Sequence, residues 1–220
     1  MGLLCHGPLL GGRTETFVAA DDWLADTARP QLPREQALAN LARYHVHAFG
    51  PAAPRDFAAW AGLPLRDARS GWHAIRDELV EITAAGEAAW IARQATPRLE
   101  QVYDDARPPI VRLLGAFDTY LLGYRGRDLA VAPRHASRVN AGGGMIRPIV
   151  TIDGEAVARW TLTRRSAGRV IEISVEPFED SDGNGAAPAA LNGDAMRQAL
   201  ERETADIGRF LGAEGRLVSP

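Results

Sequence analysis

Between residues 65 and 79 three arginines and a histidine recur at a spacing that could grip a polyanion: Arg66, Arg69, His73 and Arg76. If this stretch is helical, residues three, four and seven apart share a side. The four cationic or imidazole side chains then form one stripe, and Leu65, Ala68, Trp72, Ile75 and Leu79 form an apolar face roughly 100° away from it. Guanidinium groups presented this way can pair with phosphates or fork onto guanine edges. A second reading stays open, that of a solvated face with intrahelical ion pairs, because Asp67, Asp77 and Glu78 lie close by.

A second set of reactive types is Asp118, Tyr120, Tyr124 and Arg125. Asp118 could orient a water or pair with Arg125. Equally, Asp118 could cap a turn while the tyrosines fill a core. Other combinations carry less chemistry. Asp180, Asp182, Asn184 and Gly185 match the first half of a calcium loop, but the twelfth position would be Leu191, where a bidentate Glu is needed. His45 and His47 point to different sides of a helix, and Cys5-His6 is too few ligands for zinc. Gly142-Gly143-Gly144 lacks the lysine of a phosphate loop and reads as a turn. No cofactor or metal is expected.

Composition narrows the classes. The 220 residues carry a net charge of −3, so any grip on nucleic acid must come from a local patch. All 25 cationic residues are arginine, which excludes lysine Schiff-base or lysine nucleophile chemistry. One cysteine, Cys5, rules out an internal disulfide. No run approaches the ~18 apolar residues of a membrane span, and a cytoplasmic location is expected.

These residues need elements to hold them. Arg34–Phe49 has helical apolar spacing at Leu38, Leu41, His45 and Ala48/Phe49, and Gly50-Pro51 ends it. Arg55–Ala61 is a short helix with Pro54 in its first turn. Gly62-Leu63-Pro64 then breaks the chain before a third helix over Leu65–Leu79. Val80–Thr83 and Ala88–Ile91 read as a hairpin turning at Ala84–Glu87. Helix, short helix, helix, hairpin is the winged-helix order, with Trp60, Trp72 and Trp90 expected in its core.

Ahead of it, residues 3–9 and 14–19 form a hairpin around Gly11-Gly12-Arg13. A lone hairpin is marginal in water, so it could serve self-association or another partner. Beyond it, Ile110–Leu114 and Tyr120–Tyr124 look strand-like, and a meander follows over Pro148–Ile152, Ala156–Thr163 and Val170–Val175, with a hairpin signal at Asp153-Gly154. Asp194–Leu211 closes the pattern as an amphipathic helix. The expected class is α+β: residues 1–32 a hairpin and linker, 33–93 a winged helix, and 94–220 a mainly antiparallel, β-rich domain with a terminal helix.

Three segments carry a family likeness. Phe49–Pro64, FGPAAPRDFAAWAGLP, resembles the helix-turn-helix signature of the winged-helix family that includes the AlkZ and YcaQ DNA glycosylases. Leu3–Pro8 with Thr16–Val18 resembles the wing hairpin of a preceding winged helix. Leu113–Arg125, LLGAFDTYLLGYR, resembles a strand-turn segment of the family's C-terminal β domain.

The resemblance implies a grip on damaged or crosslinked double-stranded DNA and excision of an alkylated base. It also implies a catalytic glutamine-bearing motif in a first winged helix, and no position here matches one. The expectation is therefore a DNA-binding winged-helix protein without its own catalytic centre. The alternatives are a DNA glycosylase, or a fragment of one, and a protein-docking module that binds no DNA.

Overall fold

The computed structural model describes residues 4–11, 14–25, 32–102, 108–178, 191 and 193–218. The segment 180–185, whose match to a calcium loop stops at its first half, lies outside them. The chain is a mixed α+β protein with a mainly antiparallel sheet and a long terminal helix.

It opens with a hairpin of β1 (Leu4–His6) and β2 (Phe17–Ala19), in which Cys5 faces Val18, followed by the one-turn α1 (Ala20–Trp23). Leu4, Leu9, Leu10 and Phe17 are all exposed on this hairpin.

Three helices come next: α2 (Arg34–Phe49), α3 (Pro54–Ala61) and α4 (Leu65–Ala74). Pro54 occupies the first turn of α3, where a missing N–H leaves nothing unsatisfied. Gly62 ends α3 in the left-handed region at φ 63°. The helix α4 lies directly on α2: a Cβ at Gly71 would stand 2.6 Å from the Leu38 carbonyl oxygen. Phe57, Trp72 and Ile75 fill the space between the helices, and each such side chain contributes about 1.5–3 kcal/mol when fully buried.

The third helix is shorter than its periodicity suggests. It stops at Ala74, and Arg76–Glu78 form a 3-10 turn. The apolar pattern runs on through Ile75 and Leu79 because both stay buried while the backbone changes from helix to strand. A hairpin follows, β3 (Leu79–Ala84) and β4 (Glu87–Ala92), and Ala52 pairs with Trp90 at its outer edge. Three expected core positions move outward: Leu41 is 38 % exposed, Leu65 40 % and Trp60 38 %, whereas Ala42 is fully buried. Small Ala42 allows the close helix approach that a leucine there would block.

After α5 (Thr96–Val102), β5 (Val111–Leu114) leads into α6 (Thr119–Leu122). The expectation of a strand at Tyr120–Tyr124 is wrong here. Asp118 caps a helix instead, its carboxylate accepting from the Tyr120 N–H at 2.9 Å. Next come α7 (Ala136–Val139) and the small hairpin β6 (Asn140–Gly142) with β7 (Met145–Ile146), turning at the three glycines.

The strands β8 (Ile149–Ile152), β9 (Glu155–Arg165) and β10 (Val170–Pro177) form the meander, and α8 (Asp194–Leu211) crosses back to β11 (Glu214–Val218). The sheet order is β11-β10-β9-β8-β5, antiparallel except for β10 with β11. Met196, Ala199 and Leu200 of α8 pack on Val150, Trp160, Ile171 and Ile173. A smaller core around Leu121, Val139, Ile149 and Phe178 lies beside it. Among the described residues no helix is long and apolar enough to cross a membrane.

Candidate nucleic-acid interface and adjoining cleft

The helix α4 and the strand β4 together build a shallow groove of about 260 Å³, lined by Pro54, Arg69, Trp72, His73, Arg76, Leu79 and Trp90. Three of the four stripe residues therefore share one concavity. Arg76 reaches it from the 3-10 turn, with Nη1 3.5 Å from His73 Nε2. Arg66 is not among the lining residues and stands 86 % exposed a turn away. Trp72 and Trp90 meet edge to face, ring centres 6.3 Å apart, and form the apolar wall.

The acids beside the stripe are largely engaged from behind. Asp67 accepts from Arg34 at 2.7 Å, and Glu78 takes both arms of Arg43, at 2.8 and 2.7 Å. The bonds from Arg43 hold the Glu78 carboxyl below its ordinary value. Arg69 makes no ion pair among the described residues, and Arg76 has only a long 3.5 Å contact with exposed Asp77. Ion pairing does occur on this face, but it does not neutralise the groove.

On the far side of α3 lies a larger cleft, about 510 Å³. One wall is the start of α3 and the β3–β4 turn, including Arg55, Asp56 and Glu87. The other is the segment Tyr124–Leu129, including Arg125 and Asp128. Arg55 and Glu87 pair with each other across the first wall. Asp56 is buried and uses both oxygens: Oδ2 accepts from the Ala53 N–H at 2.8 Å and Oδ1 from the Arg125 N–H at 3.1 Å. Asp128 has no partner among the described residues, and its carboxylate is exposed.

The walls are held together by contacts to three consecutive residues. His45 Nε2 donates to the Gly123 carbonyl at 2.8 Å, and Tyr124 Oη donates to the Phe49 carbonyl at 2.6 Å. The third contact is the Arg125 N–H to Asp56. Gly123 must be glycine here, since a Cβ would fall 2.2 Å from the Phe49 ring. His45 is wholly buried among Phe49, Phe57, Trp60 and Trp72. Burial pushes its pKa down, so it serves as a neutral donor.

The cluster Asp118, Tyr120, Tyr124 and Arg125 is thus dispersed. Asp118 caps α6, and Tyr120 Oη donates to the Gly154 carbonyl at 2.9 Å. Burial raises both tyrosines, Tyr124 to about 12, so neither is a base near neutral pH. No Asp118–Arg125 ion pair occurs among the described residues. Only Tyr124 and Arg125 reach the cleft. Asp56 and Asp128 were not singled out from sequence; the one available signal was Asp56 three residues into a proline-started helix, the place of a reciprocal cap.

Comparison with known proteins gives this chain a family. Residues 1–210 match the DNA glycosylase AlkZ-like family, and the chain belongs to that family. A relative, the interstrand DNA cross-link repair glycosylase of Streptomyces sahachiroi, is 30% identical over 215 residues, covering 96% of this chain and 52% of its own length. The solved structure of the Streptomyces sahachiroi DNA glycosylase AlkZ superposes with a TM-score of 0.73 at 27% identity, covering 99% of this chain and 55% of that one. The chain spans about half the length of these relatives.

The expectation of a non-catalytic DNA-binding protein is corrected by this match. The likeness is not confined to the helices and hairpin of residues 33–93. It covers 96% of the chain, sheet and terminal helix included, and the protein it runs to is a glycosylase.

Proposed function

We propose that this chain acts in the excision of alkylated or crosslinked bases from duplex DNA, as a DNA glycosylase or as the part of one that grips the duplex. The observation that carries this reading is the likeness over 96% of the chain to a cross-link repair glycosylase. In this reading residues 33–93 are a winged helix, with α4 as the DNA-facing helix and β3–β4 as the wing, and residues 94–220 are the β domain. The groove supplies the grip: Arg69, His73 and Arg76 face phosphates or base edges, with Arg66 at the margin.

A glycosylase must draw a base out of the stack, and its transition state develops positive charge on the sugar. A carboxylate not already committed to the fold can stabilise that charge or orient the attacking water. Asp56 is committed to two backbone donors and Glu87 to Arg55. Asp128 is the cleft carboxylate left for the task.

The test is release of methylated purines from methylated duplex DNA, together with strand separation of an interstrand-crosslinked duplex. Release by this chain supports a self-sufficient enzyme. Duplex binding without release assigns it the gripping role, and neither binding nor release overturns the proposal.

A further inference from the structure

The turn between β5 and α6 reads Gly115-Ala116-Phe117-Asp118, and it carries its strain in an unexpected place. Phe117 has φ +58°, in the left-handed region, while Gly115, two residues earlier, does not. The other non-glycine residues with positive φ among those described are Ala85, Asp153, Ser166 and Ala167. All four sit in the turns of β-hairpins, where such angles match the strand twist. Phe117 sits in no hairpin. For a bulky side chain this conformation is a true outlier, and a glycine would take it without cost.

Nor does burial in a core account for the ring. Phe117 is 47 % exposed and belongs to none of the three apolar cores. The turn is closed by a 3.3 Å bond from the Asp118 N–H to the Gly115 carbonyl and fixed on its far side by the Asp118 cap. The backbone is thus braced around an aromatic residue that is nearly half exposed and lies outside the three apolar cores. The braced turn leads through the single turn of α6 and Gly123 into Tyr124–Leu129, the segment that forms one wall of the cleft.

We propose that Phe117 is a wedge that enters the base stack of duplex DNA and fills the space vacated when a base is drawn out. The proposal rests on the DNA reading above. Apolar wedges of this kind partly unstack a base step, and an aromatic ring can stack on a base of any sequence. Strain stored at one exposed aromatic is what such a role requires, since the ring must be held in place before the DNA arrives.

The experiment compares binding of the chain to a fully paired duplex and to the same duplex with one abasic-site analogue. The wild type is expected to prefer the abasic duplex about tenfold, the scale of one base–aromatic stack. Phe117→Ala should lose that preference while binding the paired duplex as before, and Phe117→Trp should keep it. Phe117→Gly should also lose it without lowering the unfolding midpoint, because glycine relieves the backbone. A preference that survives Phe117→Ala, or a wild type with none, overturns the wedge alone. A wild type that binds neither duplex overturns the DNA reading and the wedge with it.

Discussion

Asp56 and Arg125, 69 positions apart in sequence, are joined by a 3.1 Å hydrogen bond from the Arg125 backbone N–H to the buried Asp56 carboxylate. The same carboxylate also closes the N-terminus of α3 through the Ala53 N–H. Asp56→Ala therefore strands two backbone donors at once. A loss of about 2–4 kcal/mol is expected, from a cap and a charged hydrogen bond together. Asp56→Asn, which keeps one oxygen, should lose less. Urea unfolding monitored by tryptophan fluorescence checks both.

The stripe proposed to face DNA makes a graded prediction. Arg69→Ala and Arg76→Ala should each weaken duplex binding and reduce the slope of log K against log salt by about one. Arg66→Ala, outside the groove, should change both less. All three side chains are exposed, so stability should stay within about 0.5 kcal/mol of wild type. Equal effects from all three would mean that the groove does not organise the contact.

His45 carries a pH dependence whose sign follows from its burial. Its folded pKa lies below the unfolded value of about 6.5. The unfolded state therefore binds the proton more readily as pH falls. Stability is fully present above about 6.5 and declines as pH drops from there toward the folded pKa. His45→Phe should flatten this decline and lower stability at pH 7.5, because the Gly123 carbonyl loses its donor. Thermal unfolding between pH 7.5 and 5 reads both effects.

Asp128 is the test of the cleft. If it stabilises a developing positive charge, Asp128→Asn should lower the rate of base release by about 10²–10³, the scale of removing one electrostatic contact in an active site. Duplex affinity and unfolding should be unchanged, since the side chain has no partner among the described residues. An Asp128→Asn variant with wild-type release would place the chemistry elsewhere.

Much of the scaffold was legible in the residues. The terminal helix runs from Asp194 to Leu211 as its apolar spacing indicates, and the breakers Gly50-Pro51 and Gly62-Leu63-Pro64 bound α3. Local signals of this kind depend on the backbone alone. Tyr120–Tyr124 misled because a short apolar and aromatic run suits a buried strand and a short helix equally, and the Asp118 cap decides between them. The parallel strand β11 was missed, since its partner β10 lies more than 35 residues away and no hairpin turn announces it.

The site was harder to read than the scaffold. His45 occupied an apolar position and gave no sign that its ring reaches Gly123. One of the contacts that joins the walls of the cleft is Arg125 to Asp56, a pairing invisible in a single chain read end to end.

The three contacts at Gly123, Tyr124 and Arg125 have a mechanical consequence. Each comes from a different part of the helical unit: Nε2 of His45 in α2, the Phe49 carbonyl at the end of α2, and Asp56 in α3. Three contacts on adjacent residues pin this wall to the helical unit at its root and resist hinging of the two walls there. A jaw set at one width does not close on its load. Under the proposed DNA reading, a strand that enters between these walls meets a fixed gap, so the DNA has to deform, at a cost set by how readily each base step yields. Sites that kink easily, or whose stacking is already broken, would then be favoured by their compliance before any base edge is read.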